Sequence, residues 1–178
     1  MILFCGDPHG EFQRLLVHAE TTRPDAIVLL GDQTPDRLLA EVMGVWAERT
    51  WYILGNHDSD RAEFVRCTRP AHRFRRGSVL RHWTSIFPED VRALARLHAD
   101  VLVTHEAPTT HPHGFEVLDN LARDMGVRLV VHGHHHEPCH DAELFGGILV
   151  TYPPKPEPGI LLVSGPWRAG NGQERTST

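Results

Sequence analysis

The sequence predicts a layered α/β domain in which strands and helices alternate along the chain. Short runs of four or five apolar residues, rich in Ile, Leu and Val, recur between longer stretches whose apolar residues have helical spacing. A continuously apolar run of this length is typical of a strand buried on both faces. Regular alternation of such strands with helices is typical of α/β layered domains.

Five apolar runs are expected to form the first strands. They are 2–5, 26–30, 51–54, 100–104 and 127–131. After residue 139 only strand-like segments follow, at 143–152 and 159–164, with a Pro-rich turn at 153–158 between them. We expect these segments either to form a second, largely antiparallel sheet or to extend the first one.

Four stretches have the apolar spacing of a helix with one buried face. They are 12–19, 38–46, 91–97 and 118–125. Gly126 follows the last stretch, at the position where a glycine commonly ends a helix. The expected organisation is a single domain over 1–166, followed by a polar, disordered tail at 167–178.

The bulk composition excludes several classes of protein. The chain has 178 residues and a net charge of −5, which argues against a general nucleic-acid binder. Its three cysteines form no disulfide framework, and no segment reads as a signal peptide or a membrane helix. We therefore expect a cytoplasmic protein that does not associate with membranes.

Polar side chains with metal-binding chemistry follow each of the first five apolar runs. Because the carboxyl ends of strands in an α/β sheet form its ligand-binding edge, these side chains are expected to lie together. The candidate ligands are Asp7, His9, Asp32, Asn56, His105, His134 and His136. Asp7 and His9, like His134 and His136, are two residues apart, so an extended segment would point each pair in one direction.

The candidate ligands are imidazole, carboxylate and amide groups, with no thiolate among them. This donor set suits Mn, with Fe, Zn and Ni as alternatives, and does not suit a structural cysteine–zinc site. Seven ligands exceed the needs of one ion, so we expect two divalent metal ions that share a carboxylate. Two-metal sites of this kind hydrolyse phosphate esters and amides.

The ends of the strands carry five short motifs. In order, they are "GDPHG" (6–10), "GDQTPD" (31–36), "GNHD" (55–58), "VTHEAP" (103–108) and "GHHH" (133–136). With these motifs the chain resembles the calcineurin-like metallophosphoesterases over residues 1 to about 140. The resemblance implies a four-layer α/β/β/α sandwich and a phosphoesterase that acts on phosphomonoesters or phosphodiesters, with a nucleotide as one candidate substrate.

The resemblance also implies a role for each matching residue. The first ion would bind Asp7, His9, Asp32 and His136, and the second Asn56, His105 and His134, with Asp32 shared. A hydroxide between the ions would be the nucleophile, and His57 would protonate the leaving oxygen as general acid. Asp36 and Asp60 are equal candidates for the carboxylate that orients His57.

Several features have alternative explanations. The same fold could be a non-catalytic scaffold that binds a protein partner, or a module that stores or senses metal. The arginine-rich stretch 61–81 is expected to be a solvated basic face, with steering of an anionic substrate as the alternative. His132 and His135 are expected to support the site or to lie on the surface, and Glu106 to be an exposed loop carboxylate. The oligomeric state stays open.

Overall fold

A computed structural model describes residues 1–61, 69–70, 88–136, 144–145, 148–151 and 159–163. The strands are β1 (Ile2–Gly6), β2 (Ala26–Leu29), β3 (Thr50–Tyr52), β4 (Arg69–Pro70), β5 (Val101–Thr104), β6 (Leu129–His132), β7 (Leu144–Phe145), β8 (Ile148–Thr151) and β9 (Gly159–Val163). The α-helices are α1 (Gln13–Thr22), α2 (Leu39–Met43), α3 (Pro88–Leu94) and α4 (Glu116–Met125). Two 3₁₀ helices span Gly44–Arg49 and Asn56–Arg61.

The strands form two sheets. The first has the order β4-β3-β2-β1-β9, in which β1 to β4 are parallel and β9 is antiparallel to β1. The second has the order β5-β6-β8-β7, in which only β7 is antiparallel to its neighbour. Of the two alternatives for the segments after residue 139, extension of the first sheet is right for β9. Strands β7 and β8 instead join β5 and β6 in a second sheet that is mostly parallel, so the alternative of a largely antiparallel second sheet is wrong.

The first sheet is covered on one face by helices. Leu3 and Cys5 of β1 pack in one buried cluster with Leu15 of α1 and Leu39 of α2. Phe4, between them in sequence, belongs to a different cluster, as expected for a strand buried on both faces.

The second sheet lies against the other face of the first. Phe4 packs with Val103 of β5 and Val131 of β6, and the opposite face of β6 places Val130 against Leu121 of α4. Three hydrophobic clusters therefore lie between four successive layers: helices α1 and α2, the first sheet, the second sheet, and helix α4. This order accords with the expected four-layer α/β/β/α sandwich.

Two helices differ from their sequence patterns. The stretch 38–46 is divided between α2 and a 3₁₀ helix, because Gly44 has a φ of +53° that an α-helix does not accommodate. Helix α3 ends at Leu94, and Leu97 beyond it is 41% exposed. The tail 167–178, the turn 153–158 and most of the arginine-rich stretch 61–81 lie outside the described residues. Among the helices that are described, none has the length and apolar character required to cross a bilayer.

Candidate metal centre

The loops that follow the parallel strands meet at one edge, which is built from both sheets. Within the first sheet, Leu30 N donates to Cys5 O (2.9 Å) and His9 N donates to Asp32 O (2.9 Å), which joins the loops after β1 and β2. Within the second, Gly133 N donates to His105 O (3.2 Å). The candidate ligands therefore face each other across the two sheets rather than along the rim of one.

These loops hold an unusual concentration of left-handed backbone. Among the described residues, seven non-glycine residues have positive φ, and five of them are candidate ligands. These five are Asp7, His9, Asp32, His134 and His136, with φ between 44° and 74°. The expectation that each pair lies on an extended segment is wrong, although the geometry still brings the pairs to the site. Non-glycine residues in this region cost free energy, and such strain is concentrated at functional sites.

Two glycines allow the loops to approach closely. Gly31 has a φ of +107°, and a Cβ at this position would collide with the His105 ring and lie 2.9 Å from Gly55 Cα. A Cβ at Gly55 would in turn collide with the Asp32 carboxylate. Glycine is thus required at both positions, because a side chain there would collide with a neighbouring candidate ligand.

A first cluster of ligand atoms is formed by Asp7, His9 and His136, whose donor atoms lie within 4.8 Å of one another. The Nε2 atoms of the two imidazoles are 3.4 Å apart. Asp7 is 1% exposed, and its carboxylate accepts hydrogen bonds from His134 N at 3.1 and 2.9 Å. This contact fixes the loop after β6 against the loop after β1.

A second cluster is formed by Asp32, His105 and His134, again within 4.8 Å. His105 is fully buried, and its Nδ1 donates to the carbonyl of Leu30 at 2.8 Å, since a carbonyl can only accept. Burial lowers the pKa of His105 to about 4, so the ring is neutral near pH 7 and its Nε2 presents a lone pair. This Nε2 lies 2.9 Å from Asn56 Oδ1.

Asp32 of the second cluster also lies next to the first. Its Oδ2 is 3.6 Å from His105 Nε2 in the second cluster and 4.0 Å from His9 Nε2 in the first. Its Oδ1 accepts a hydrogen bond from His57 N at 2.8 Å. With one carboxylate oxygen facing both clusters, Asp32 has the location that a shared ligand requires.

The donor set fits divalent cations. The lone pair of His105 Nε2, the amide oxygen of Asn56 and the carboxylate of Asp32 are all electron-pair donors directed at one another. Acceptors that converge in a buried place need a donor or a cation between them, and nitrogen and oxygen ligands without sulfur suit first-row transition ions. A bound metal ion would accept electron pairs from all three groups.

The residues expected around the general acid are less fully described. His57 is exposed, and its ring centroid lies 5.5 Å from that of His9. Asp36 is exposed. Asp60 belongs to the 3₁₀ helix Asn56–Arg61, but its side chain lies outside the described part of the chain. The prediction that a carboxylate orients His57 stays a prediction, with Asp36 and Asp60 as its two candidates.

Sequence reasoning missed the burial of Glu106. It is 3% exposed, so the expectation of an exposed loop carboxylate is wrong. Burial, and secondly the charge of Asp32, raise the pKa of Glu106 to about 7. Its position directly after His105 at the end of β5 was the signal that could have identified it.

Asp58 of "GNHD" acts as a local hydrogen-bond acceptor. It is fully buried and accepts hydrogen bonds from Gly55 N at 2.8 Å and Thr34 N at 3.1 Å. The bond from Thr34 joins the loops after β2 and β3, which carry Asp32 and Asn56, whereas the bond from Gly55 lies within the loop after β3. Burial, opposed by these hydrogen bonds, raises the pKa of Asp58 to about 6.

Comparisons with known proteins agree with this architecture. The family model described as calcineurin-like phosphoesterase matches residues 1–138, and the chain therefore belongs to that family. An uncharacterized protein of Haemophilus influenzae is 35% identical, over 77% of this chain and 84% of its own length.

Solved structures are similar to this chain, and the one with the TM-score above 0.5 supports the fold. A protein of Thermus thermophilus superimposes with a TM-score of 0.59 at 17% identity, covering 85% of this chain and 88% of its own. A predicted phosphoesterase of Streptococcus pneumoniae covers 85% of this chain and 70% of its own, with 21% identity and a TM-score of 0.48. The α/β fold predicted from the sequence is confirmed as that of the metallophosphoesterases.

Proposed function

We propose that the protein is a di-metal-dependent phosphoesterase that hydrolyses phosphomonoesters or phosphodiesters. The observation that supports this most is the location of Asp32, one carboxylate oxygen of which faces a ligand cluster on either side. A carboxylate shared by two ions is the feature that separates a binuclear hydrolytic centre from a single metal site.

The first ion would be held by Asp7, His9, His136 and Asp32, and the second by Asn56, His105, His134 and Asp32. Two bound divalent ions would supply a water of lowered pKa and positive charge for the phosphate oxygens. Mn²⁺ is the proposed metal, because the ligands are oxygen and imidazole nitrogen without thiolate.

The protein side chains contribute orientation and proton transfer. Asp7 and Asp32 are almost fully buried, so their charges are poorly solvated and favour bound cations. His57 is exposed beside the first cluster, where it can reach a substrate, and its backbone N–H is held by Asp32 Oδ1. We propose that His57 protonates the leaving oxygen, with Asp36 or Asp60 as the carboxylate that orients it.

The substrate is proposed to be a small phosphate ester, with a nucleotide as one candidate. We propose a cytoplasmic location on the basis of the cysteine pattern, since Cys5 is a buried free thiol and no pair of cysteines has the spacing of a disulfide framework.

The test is hydrolysis of p-nitrophenyl phosphate and bis-p-nitrophenyl phosphate by metal-stripped protein that has been reloaded with Mn²⁺. We expect turnover to return with Mn²⁺. The variant His57→Ala should lose about 10²–10⁴-fold in kcat while it still binds metal. His18→Ala, which removes an exposed imidazole on α1, is the matched control and should keep full activity.

The preference between the two esters then gives the substrate class. If two ions bind but neither ester nor a panel of nucleotides is hydrolysed, the phosphoesterase proposal is refuted. The scaffold or the metal sensor would then be the better explanation.

A further inference from the structure

A third group of metal-ligating atoms adjoins the two clusters of the proposed centre. Glu106, His134 and His135 place one ligand atom each within 4.8 Å of the others. Glu106 Oε1 lies 3.8 Å from His134 Nε2, and Glu106 Oε2 lies 3.9 Å from His135 Nε2. These separations exceed hydrogen-bond lengths and leave room for an ion between the ligands.

His135 supplies an independent indication that this group binds a ligand. Its side chain is 13% exposed, and its Nε2 is buried without a hydrogen-bond partner. The ring is held in place by stacking on His111, with the ring centroids 3.8 Å apart and the planes inclined by 11°. Buried polar atoms are normally satisfied, so a buried ring nitrogen that faces a carboxylate without bonding to it indicates that a ligand binds between the two.

The chemistry of this group selects a divalent transition metal. Two imidazoles and one carboxylate with open positions are the donor set of catalytic zinc sites and of some iron sites. His134 belongs both to this group and to the second cluster of the proposed centre. An ion bound at Glu106 and His135 would therefore draw on a ligand that the second ion also needs.

We propose that Glu106, His134 and His135 form an alternative position for the second metal ion, which competes with the position at Asp32 and His105 for the shared His134. This inference rests on the proposed binuclear centre and assigns to Glu106 and His135 the role of metal ligands. We call the position at Asp32 and His105 the inner position and the one at Glu106 and His135 the outer position. When the second ion occupies the outer position, it stays bound to the protein, but the proposed reaction centre then holds only one ion.

Exposure supports the distinction between an inner and an outer position. His134 belongs to both positions, so the comparison rests on the other histidine of each: the side chain of His135 is 13% exposed, whereas that of His105 is 0% exposed. The outer position therefore lies nearer to solvent on its histidine side, where an ion can be taken up or released.

The experiment counts the Zn²⁺ ions bound at equilibrium, by dialysis and elemental analysis, and measures their affinities by calorimetry. The variants are His105→Ala, which damages the inner position, Glu106→Gln, which damages the outer one, and the two combined. The matched control for the combined variant joins His105→Ala to Glu116→Gln, which changes an exposed glutamate of α4 instead of Glu106. Circular dichroism checks the fold, and Asn56→Ala takes the place of His105→Ala if that variant does not fold.

The proposal predicts two equivalents for the wild type and for each single variant. In His105→Ala the second equivalent should bind about 10–100-fold more weakly, since it is restricted to the outer position. The combined variant should bind one equivalent, and its Glu116→Gln counterpart two.

Three outcomes overturn the proposal. The first is that His105→Ala binds one equivalent of Zn²⁺, and the second is that the combined variant binds two. The third is that the wild type binds three, because a third ion would show that the two positions do not compete. A wild type that binds fewer than two ions would instead refute the binuclear centre on which the inference rests.

Discussion

Replacing Gly31 by alanine tests whether the close approach of the loops builds the site. The new Cβ would collide with His105 Nδ1 and lie 2.9 Å from both Gly55 Cα and Gly55 N. The positive φ of +107° costs an alanine about 1–3 kcal/mol, and overpacking adds about 1–3 kcal/mol. We therefore expect a loss of about 2–6 kcal/mol in the free energy of unfolding, or roughly 4–24 °C in Tm for a chain of this size.

Gly44→Ala is the matched control for this prediction. Gly44 also has a positive φ, of +53°, but no atom lies within 4 Å of the Cβ that alanine would add. It should lose only the backbone contribution of about 1–3 kcal/mol. Urea denaturation of the metal-free proteins measures both variants, and metal affinity should fall for Gly31→Ala alone because only its Cβ displaces His105. If the two variants lose equal stability, the crowding at Gly31 does not exist.

Three further predictions concern single side chains. Asp32→Asn should weaken the binding of both metal ions by more than the roughly 10–100-fold typical of supporting residues, as measured by calorimetry, whereas Asp124→Asn on the exposed face of α4 should leave both affinities unchanged. Asp58→Ala leaves two backbone N–H groups without their acceptor and should lower the free energy of unfolding by about 1–3 kcal/mol in urea; no loss would show that these bonds are dispensable. Burial lowers the pKa of His132 to about 4, so between pH 6.5 and pH 4 the unfolded chain takes up a proton that the folded one refuses. The contribution of His132 to the free energy of unfolding is present above pH 6.5 and should fall by up to about 3 kcal/mol as the pH drops to 4. In His132→Gln the decrease in stability over this pH range should be smaller by the same amount. Urea denaturation with a chelator present measures both proteins.

The strands and most helices could be predicted because burial on both faces leaves a direct mark on sequence. The run 2–5 is continuously apolar since Leu3 and Cys5 face helices while Phe4 faces the second sheet. The division into two sheets could not be predicted in the same way. Apolar runs identify strands, but they do not specify which strands pair, and β9 lies beside β1 from the opposite end of the chain.

The candidate ligands could be identified because each follows a strand and carries the chemistry that metals require. Their backbone geometry could not. Spacing by two residues suggested extended segments, yet Asp7 and His9 both have left-handed φ, stabilised by contacts such as His9 N to Asp32 O that connect separate loops. Burial of Glu106 likewise depends on packing against His134 and His135, which local sequence does not reveal.

The central claim is that two metal ions lie on either side of Asp32. Anomalous X-ray diffraction from crystals loaded with Mn²⁺ tests it most directly. We expect two metal peaks about 3.5–4 Å apart. One should be bounded by Asp7, His9 and His136, and the other by His105 and His134. A single peak, or two peaks that do not share Asp32, would contradict it.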